Sequence, residues 1–100
     1  MKMQIQGDTL HISEVEELDV SSSNDFRNQA RAALTNDQKN IDIDLSQTKL
    51  LDSCGLGTLI SLHKITSGRN GMVRLLNPTP SVRQILELTR MHRIFAIVNN

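Results

Sequence analysis

The sequence contains no tryptophan, no tyrosine and only two phenylalanines. A single-stranded nucleic-acid platform needs aromatic faces on which bases stack, so that class is disfavoured. Cys54 is the one cysteine, which excludes an internal disulfide and any cysteine-rich metal site. Neither charge is in excess: Lys plus Arg number 11, and Asp plus Glu number 11. No general attraction to a nucleic-acid backbone follows from such a balance. The longest apolar runs fall far short of the roughly 20 residues of a membrane span. No basic segment followed by an apolar stretch opens the chain, so no signal peptide is expected. These absences fit a small cytoplasmic protein without membrane insertion. Its 100 residues suit one domain over positions 1–100.

What is present has a clear order. Met3 and Ile5 alternate with polar residues, Gly7-Asp8 marks a turn, and Leu10 and Ile12 alternate again. That is a hairpin with one apolar face. His11 falls on its polar side and reads as solvated. Val15 to Val20 extends the second strand or forms a short third one. Ser21-Ser22-Ser23 offers helix caps, with Asp25 favouring the helix dipole. Phe26, Ala30, Ala33 and Leu34 then fall on one face of a helix. Ile41, Ile43 and Leu45 alternate with Asp42 and Asp44. A strand covered on both sides is continuously apolar, so this one has helices on one side, and its two aspartates read as solvated rather than as metal ligands.

A second helix is expected from about Cys54 to Thr66, with a stripe of Leu56, Leu59, Ile60 and His63 broadened by Leu62 and Ile65. Met72 to Asn77 returns as a strand, and the strand–helix–strand unit makes the two strands parallel. Ser81 and Gln84 have capping-box spacing for a third helix, lined inside by Val82, Ile85, Leu86 and Thr89. Ile94 to Val98 closes the chain as a short strand or packed tail. The expected fold is α/β: one domain, a mixed sheet of four to five strands and about three helices on one face.

The stretch Asp52-Ser53-Cys54-Gly55-Leu56-Gly57-Thr58 connects a strand to the second helix. Asp52 or Ser53 can cap that helix. Each glycine in the first turn costs about 1 kcal/mol of helix propensity relative to alanine. Close approach by another group can offset this. The approaching group is either a binding partner or the sheet beneath. No catalytic constellation, phosphate-binding loop or dinucleotide fingerprint accompanies the stretch, and no cofactor is implied. A thiol at a helix N-terminus is a candidate reactive cysteine, though no histidine lies near it in sequence.

Asp52-Ser53-Cys54-Gly55-Leu56-Gly57 resembles the phosphorylation motif Asp-Ser-Ser/Thr-Gly-Leu-Gly of the STAS domain family, which includes the bacterial anti-sigma factor antagonists. Glu17-Leu18-Asp19 resembles the family's Gly-Glu-Leu-Asp segment. Asn77-Pro78-Thr79-Pro80-Ser81-Val82-Arg83, then Leu86-Glu87-Leu88-Thr89, resembles its third helix, and His92-Arg93-Ile94-Phe95 its C-terminal segment. The resemblance runs in order along nearly the whole chain. It implies a non-enzymatic partner-switching regulator that binds an anti-sigma factor/serine-threonine kinase-like protein. The implied contact surface comprises Asp19, Asp52, Ser53, Cys54, Gly55, Gly57 and Thr58. Cys54 stands at the phosphoacceptor position, and the adjacent Ser53 is the less suited hydroxyl. Glu16 replaces a family glycine, and Arg90 stands where glycine often ends the third helix. A STAS subunit of a larger assembly, such as a transporter complex, and a thiol redox sensor are the alternative readings.

Overall fold

In the computed structural model, which describes residues 1–99, the hairpin strands are β1 (Lys2–Gln6) and β2 (Thr9–Ser13). They pair antiparallel, Met3 opposite Ile12 and Ile5 opposite Leu10. The Val15–Val20 stretch contributes a two-residue strand, β3 (Glu17–Leu18), followed by α1 (Ser23–Ala33). Then come β4 (Asn40–Asp44), β5 (Leu50–Leu51), α2 (Ser53–Gly68), β6 (Val73–Leu76), α3 (Pro80–Leu88) and β7 (Ala96–Val98). A 3-10 turn, Met91–Arg93, joins the last two.

The main sheet is five-stranded in the order β1-β2-β4-β6-β7, while β3 and β5 form a separate two-stranded ladder. All pairs except β1–β2 are parallel. The mixed sheet with three helices on one face agrees with the expectation from the sequence. Burial explains why. Leu10, Ile12, Ile41, Ile43, Val73 and Leu75 are buried on one sheet face, in one cluster with Phe26 and Ala30 of α1, Leu59 and Leu62 of α2, and Val82 and Leu86 of α3.

Five local expectations are corrected. Asp42 is not solvated: it is 2% exposed. Arg74 grips both its oxygens, with Nε to Oδ1 at 2.8 Å and Nη2 to Oδ2 at 2.6 Å. Polar/apolar alternation reports which face a residue lies on, not whether a long neighbouring side chain covers it. The same cluster draws in His11, which is half-buried with Nδ1 3.5 Å from Oδ2 of Asp42. The Asp42 carboxylate holds the Arg74 guanidinium still further above its ordinary range, first through the hydrogen bonds and then through charge.

The inner stripe of α2 is rotated from the expected one. Gly55, Thr58, Leu59, Leu62 and Thr66 are buried, while Leu56, Ile60 and His63 are half-buried at the margin. His63 meets Phe95 edge to face, ring centroids 5.7 Å apart. Three small or hydroxylated residues on the inner face, Gly55, Thr58 and Thr66, let α2 approach its neighbours closely, a feature that a count of large apolar residues overlooks.

Capping differs as well. Thr79 caps α3, accepting the Val82 N–H at 3.4 Å, with Pro80 in the first turn. Proline there is preorganised and loses no needed donor, so the cap lies two residues before Ser81. At α1, Ser22 occupies the cap position without capping through its side chain. Its hydroxyl is engaged by the preceding loop instead.

Candidate functional site

The strand-to-helix connection is fixed by Asp52. Its Oδ1 accepts the Gly55 N–H at 3.0 Å, and its Oδ2 accepts the Val20 N–H at 2.9 Å. One oxygen therefore caps α2 while the other ties down the loop before α1. Asp19 organises that loop. Its Oδ1 accepts from the Ser21 hydroxyl at 2.8 Å, the Ser22 hydroxyl at 3.0 Å and the Ser21 N–H at 3.2 Å. Its backbone carbonyl accepts the Ser23 N–H at 2.8 Å. The Ser21 and Ser22 hydroxyls hold the Asp19 carboxyl below the usual carboxylate range, because these bonds favour the charged form.

Gly55 and Gly57 have different surroundings. A Cβ on Gly55 would lie 2.1 Å from the Leu18 carbonyl oxygen and 2.8 Å from Leu51 Cδ1. Gly55 is buried, and the group approaching it is the β3–β5 ladder. A Cβ on Gly57 would meet nothing within 4 Å. Thr58 is buried too, and its hydroxyl donates to the Ser23 carbonyl at 3.4 Å, joining α2 to the start of α1.

The residues implied by the family resemblance thus divide in two. Asp19, Asp52, Gly55 and Thr58 build the junction between α2, β3 and α1. Ser53, Cys54 and Gly57 are exposed on its surface. Ser53 is the first residue of α2, beyond the cap, and Cys54 is a free thiol. Cys54, Gly57 and Thr58 line a shallow groove with Val20, Asn24 and Arg27. The last three were not anticipated. Val20 is 73% exposed, and an unpaired valine ahead of a serine run is the sequence signal that could have flagged it. Arg27 brings a cation to the groove, its Nη2 donating to Asn24 Oδ1 at 2.9 Å. Its Nε is buried without a hydrogen-bond partner among the described residues.

A second groove is lined by Glu14, Glu16, Glu17 and Asp25. Among the described residues no group of three or more His, Cys, Asp or Glu could hold a metal ion, and no helix is long and apolar enough to cross a membrane.

A STAS domain family model matches residues 1–100. The chain belongs to the STAS domain family. Among its STAS relatives, a STAS-domain-containing protein of Pseudomonas aeruginosa is 34% identical over 80 residues, covering 79% of this chain and 77% of the relative. An anti-sigma F factor antagonist of Paenibacillus polymyxa is 27% identical over 85 residues, covering 84% of this chain and 73% of the relative. The crystal structure of a candidate anti-sigma factor antagonist of Thermotoga maritima superposes with a TM-score of 0.91 at 25% identity, over 99% of this chain and 86% of the other. In sequence and fold, then, this STAS protein is anti-sigma factor antagonist-like.

Proposed function

We propose that this protein is a cytoplasmic, non-enzymatic partner-switching regulator. In this reading it binds an anti-sigma factor of the serine-threonine kinase type through the start of α2, and it lacks the usual phosphoacceptor. Gly57 is the observation that carries the reading. Gly55 is required by packing, whereas nothing in the fold requires Gly57, although glycine in a helix interior costs about 1 kcal/mol relative to alanine. A partner lying flat against the exposed Ser53-Cys54-Gly57 surface, beside Val20 and Arg27, accounts for a residue without a side chain there. Similarity to an anti-sigma F factor antagonist supports the partner class.

Cys54 alters the switch. Phosphorylation adds about −2 charge, placed beside the Asp52 cap if it occurs on the residue after Ser53. A thiol does not serve a hydroxyl-specific kinase. Ser53 is an exposed hydroxyl one residue away. A misplacement of about 1 Å can reduce transfer about 10²-fold, so the wild type is expected to stay unmodified and bound.

The test uses purified serine-kinase-type anti-sigma factors of the source organism. Calorimetry should show binding by wild type, weaker binding by Gly57→Ala, and loss of binding by Gly57→Arg with an unchanged circular dichroism spectrum. Incubation with kinase and ATP, followed by intact-mass measurement, should add a phosphate to Cys54→Ser and none to wild type. Full affinity in Gly57→Arg would remove the proposed surface, and phosphate on wild-type Ser53 would remove the constitutive-binder reading.

A further inference from the structure

The β1 edge of the main sheet carries a different interaction surface. β1 pairs only with β2 and ends the sheet. Edge strands are usually blunted by proline, bulges, short length or several charges, because unpaired backbone groups recruit other strands. β1 is five residues long, Lys2-Met3-Gln4-Ile5-Gln6, with one charge at one end.

The hairpin determines which backbone groups face outward. Gln6 and Thr9 face each other across the two-residue loop Gly7-Asp8, and Gly7 has φ +60°. This is the two-residue hairpin with glycine first, whose flanking residues form a hydrogen-bonded pair. Hydrogen-bonded and non-hydrogen-bonded pairs alternate along an antiparallel ladder. Gln6, Gln4 and Lys2 therefore direct their N–H and C=O groups to β2, and Met3 and Ile5 direct theirs to the free edge.

Met3 and Ile5 are also the apolar residues of β1, on the same face as buried Leu10 and Ile12. Met3 is partly covered by the core, but Ile5 stays 47% exposed. We propose that β1 pairs antiparallel with β1 of a second copy of this chain about a two-fold axis at Gln4. In that register Met3 opposes Ile5 of the other copy, twice, and Gln4 opposes itself.

Every element of the strand then finds its complement. The outward groups of Met3 and Ile5 form about four hydrogen bonds. The two apolar side chains extend one copy's helix-covered face into the other's and cover Ile5. Lys2 opposes Gln6, with Asp8 of the other copy one diagonal step beyond, within reach of a long side chain. Asp8 is available for this, since its side-chain contacts, a bond from the Thr9 hydroxyl at 3.1 Å and Lys39 Nζ at 3.9 Å, are both exposed. The isologous arrangement closes as a dimer and leaves no β1 edge for further addition. An edge of this length buries less than a standard interface, so the dimer is weak and forms towards high concentration. It shares no residue with the Ser53, Cys54 and Gly57 surface.

Sedimentation equilibrium up to about 1 mM protein, where even a weak pair with Kd near millimolar is populated, should show a monomer–dimer equilibrium. Ile5→Lys and Ile5→Pro should remain monomeric with the wild-type circular dichroism spectrum. Proline at position 5 removes only an outward-facing N–H, leaving the β1–β2 bonds intact. Gln4→Cys in a Cys54→Ala background should form a disulfide-linked dimer under mild oxidation, because opposed Cα atoms of a non-hydrogen-bonded pair lie about 4.5 Å apart, within disulfide range. Gln6→Cys in the same background, opposite Lys2 rather than itself, should not. A strictly monomeric wild type, a dimer that survives Ile5→Lys, or equal cross-linking through both cysteines would each overturn the proposal. If the Ile5 variants misfold, the cross-linking pair still decides it.

Discussion

The first turns of α2 and α3 meet the same requirement with different residues. Each is capped by a side chain three positions before the N–H it accepts: Asp52 for Gly55 and Thr79 for Val82. After the cap of α3 comes Pro80, preset for the helix, and Val82 is buried in the core. After the cap of α2 come Ser53 and Cys54 in the open, then Gly55 under steric compulsion and Gly57 without it. The start of α3 is accounted for by folding alone. At the start of α2 the fold accounts for Gly55 and Thr58 but not for Gly57, and the proposed function assigns that position to a partner.

Substitutions can break this contrast at several points. The largest effect is expected at Gly55→Ala. The added methyl would collide with the Leu18 carbonyl, which is backbone and cannot rotate away. Overpacking of this kind costs about 3 kcal/mol or more, read as a lower urea midpoint at unchanged m-value. Asp52→Ala should cost about 2 kcal/mol in the same measurement, since it removes the α2 cap and frees the Val20 N–H. Thr79→Ala, which removes the matching cap of α3, should cost only about 1 kcal/mol. Thr79 also makes a second bond, its hydroxyl donating to the Thr48 carbonyl at 3.2 Å, so equal losses at the two caps would show that the Asp52 bond to Val20 contributes no more than that one.

Gly57→Ala should raise stability by about 0.4–1 kcal/mol, because the site is open and helical. A loss there would mean that the fold needs this glycine after all, and the argument for a partner surface would fall with it. The smallest effect concerns pH. Asp19 has a folded-state pKa below its unfolded value. Its contribution is present above the unfolded carboxylate pKa and is lost as pH falls through the folded one. Because Asp19 is half-buried at the surface, Asp19→Asn should lower the neutral plateau of a thermal-stability profile only slightly and flatten its acid limb by the same small amount.

Much of the architecture was legible in the sequence because it rests on periodicity. The hairpin, the helix cover on one side of β4, the α2 crossover and the last strand all follow from apolar spacing and glycine-bearing turns. What was not legible depends on groups brought together from distant positions. The Ser21–Ser23 run resembles a helix cap, yet Ser21 and Ser22 bind Asp19, because a carboxylate two or three residues away is the stronger acceptor. Thr58 reads as a polar helix residue until Ser23 supplies its acceptor. At the α2 site the motif was visible, but which of its members are buried was not. Val20, Asn24 and Arg27 reach the groove from a loop and helix whose approach only the fold specifies.

The Asp42–Arg74 pair has a further consequence, for strand register. β4 and β6 each alternate with period two, so sliding one past the other by two residues would keep Ile41, Ile43, Val73 and Leu75 on the helix-covered face. Hydrophobic patterning rejects a one-residue slip, which turns every side chain over, but tolerates this one. With β4 displaced by two, Asp42 would face Met72 or Leu76 instead of Arg74 and would remain a carboxylate without its cation. The native register, Asp42 opposite Arg74, is the one that leaves no such charge. An ion pair of this kind selects among alignments more than it adds stability. Replacing both residues by leucine should therefore keep the protein folded while splitting β4 and β6 amide signals in its NMR spectrum into more than one set. A single sharp set would show that the loops already hold the alignment by themselves.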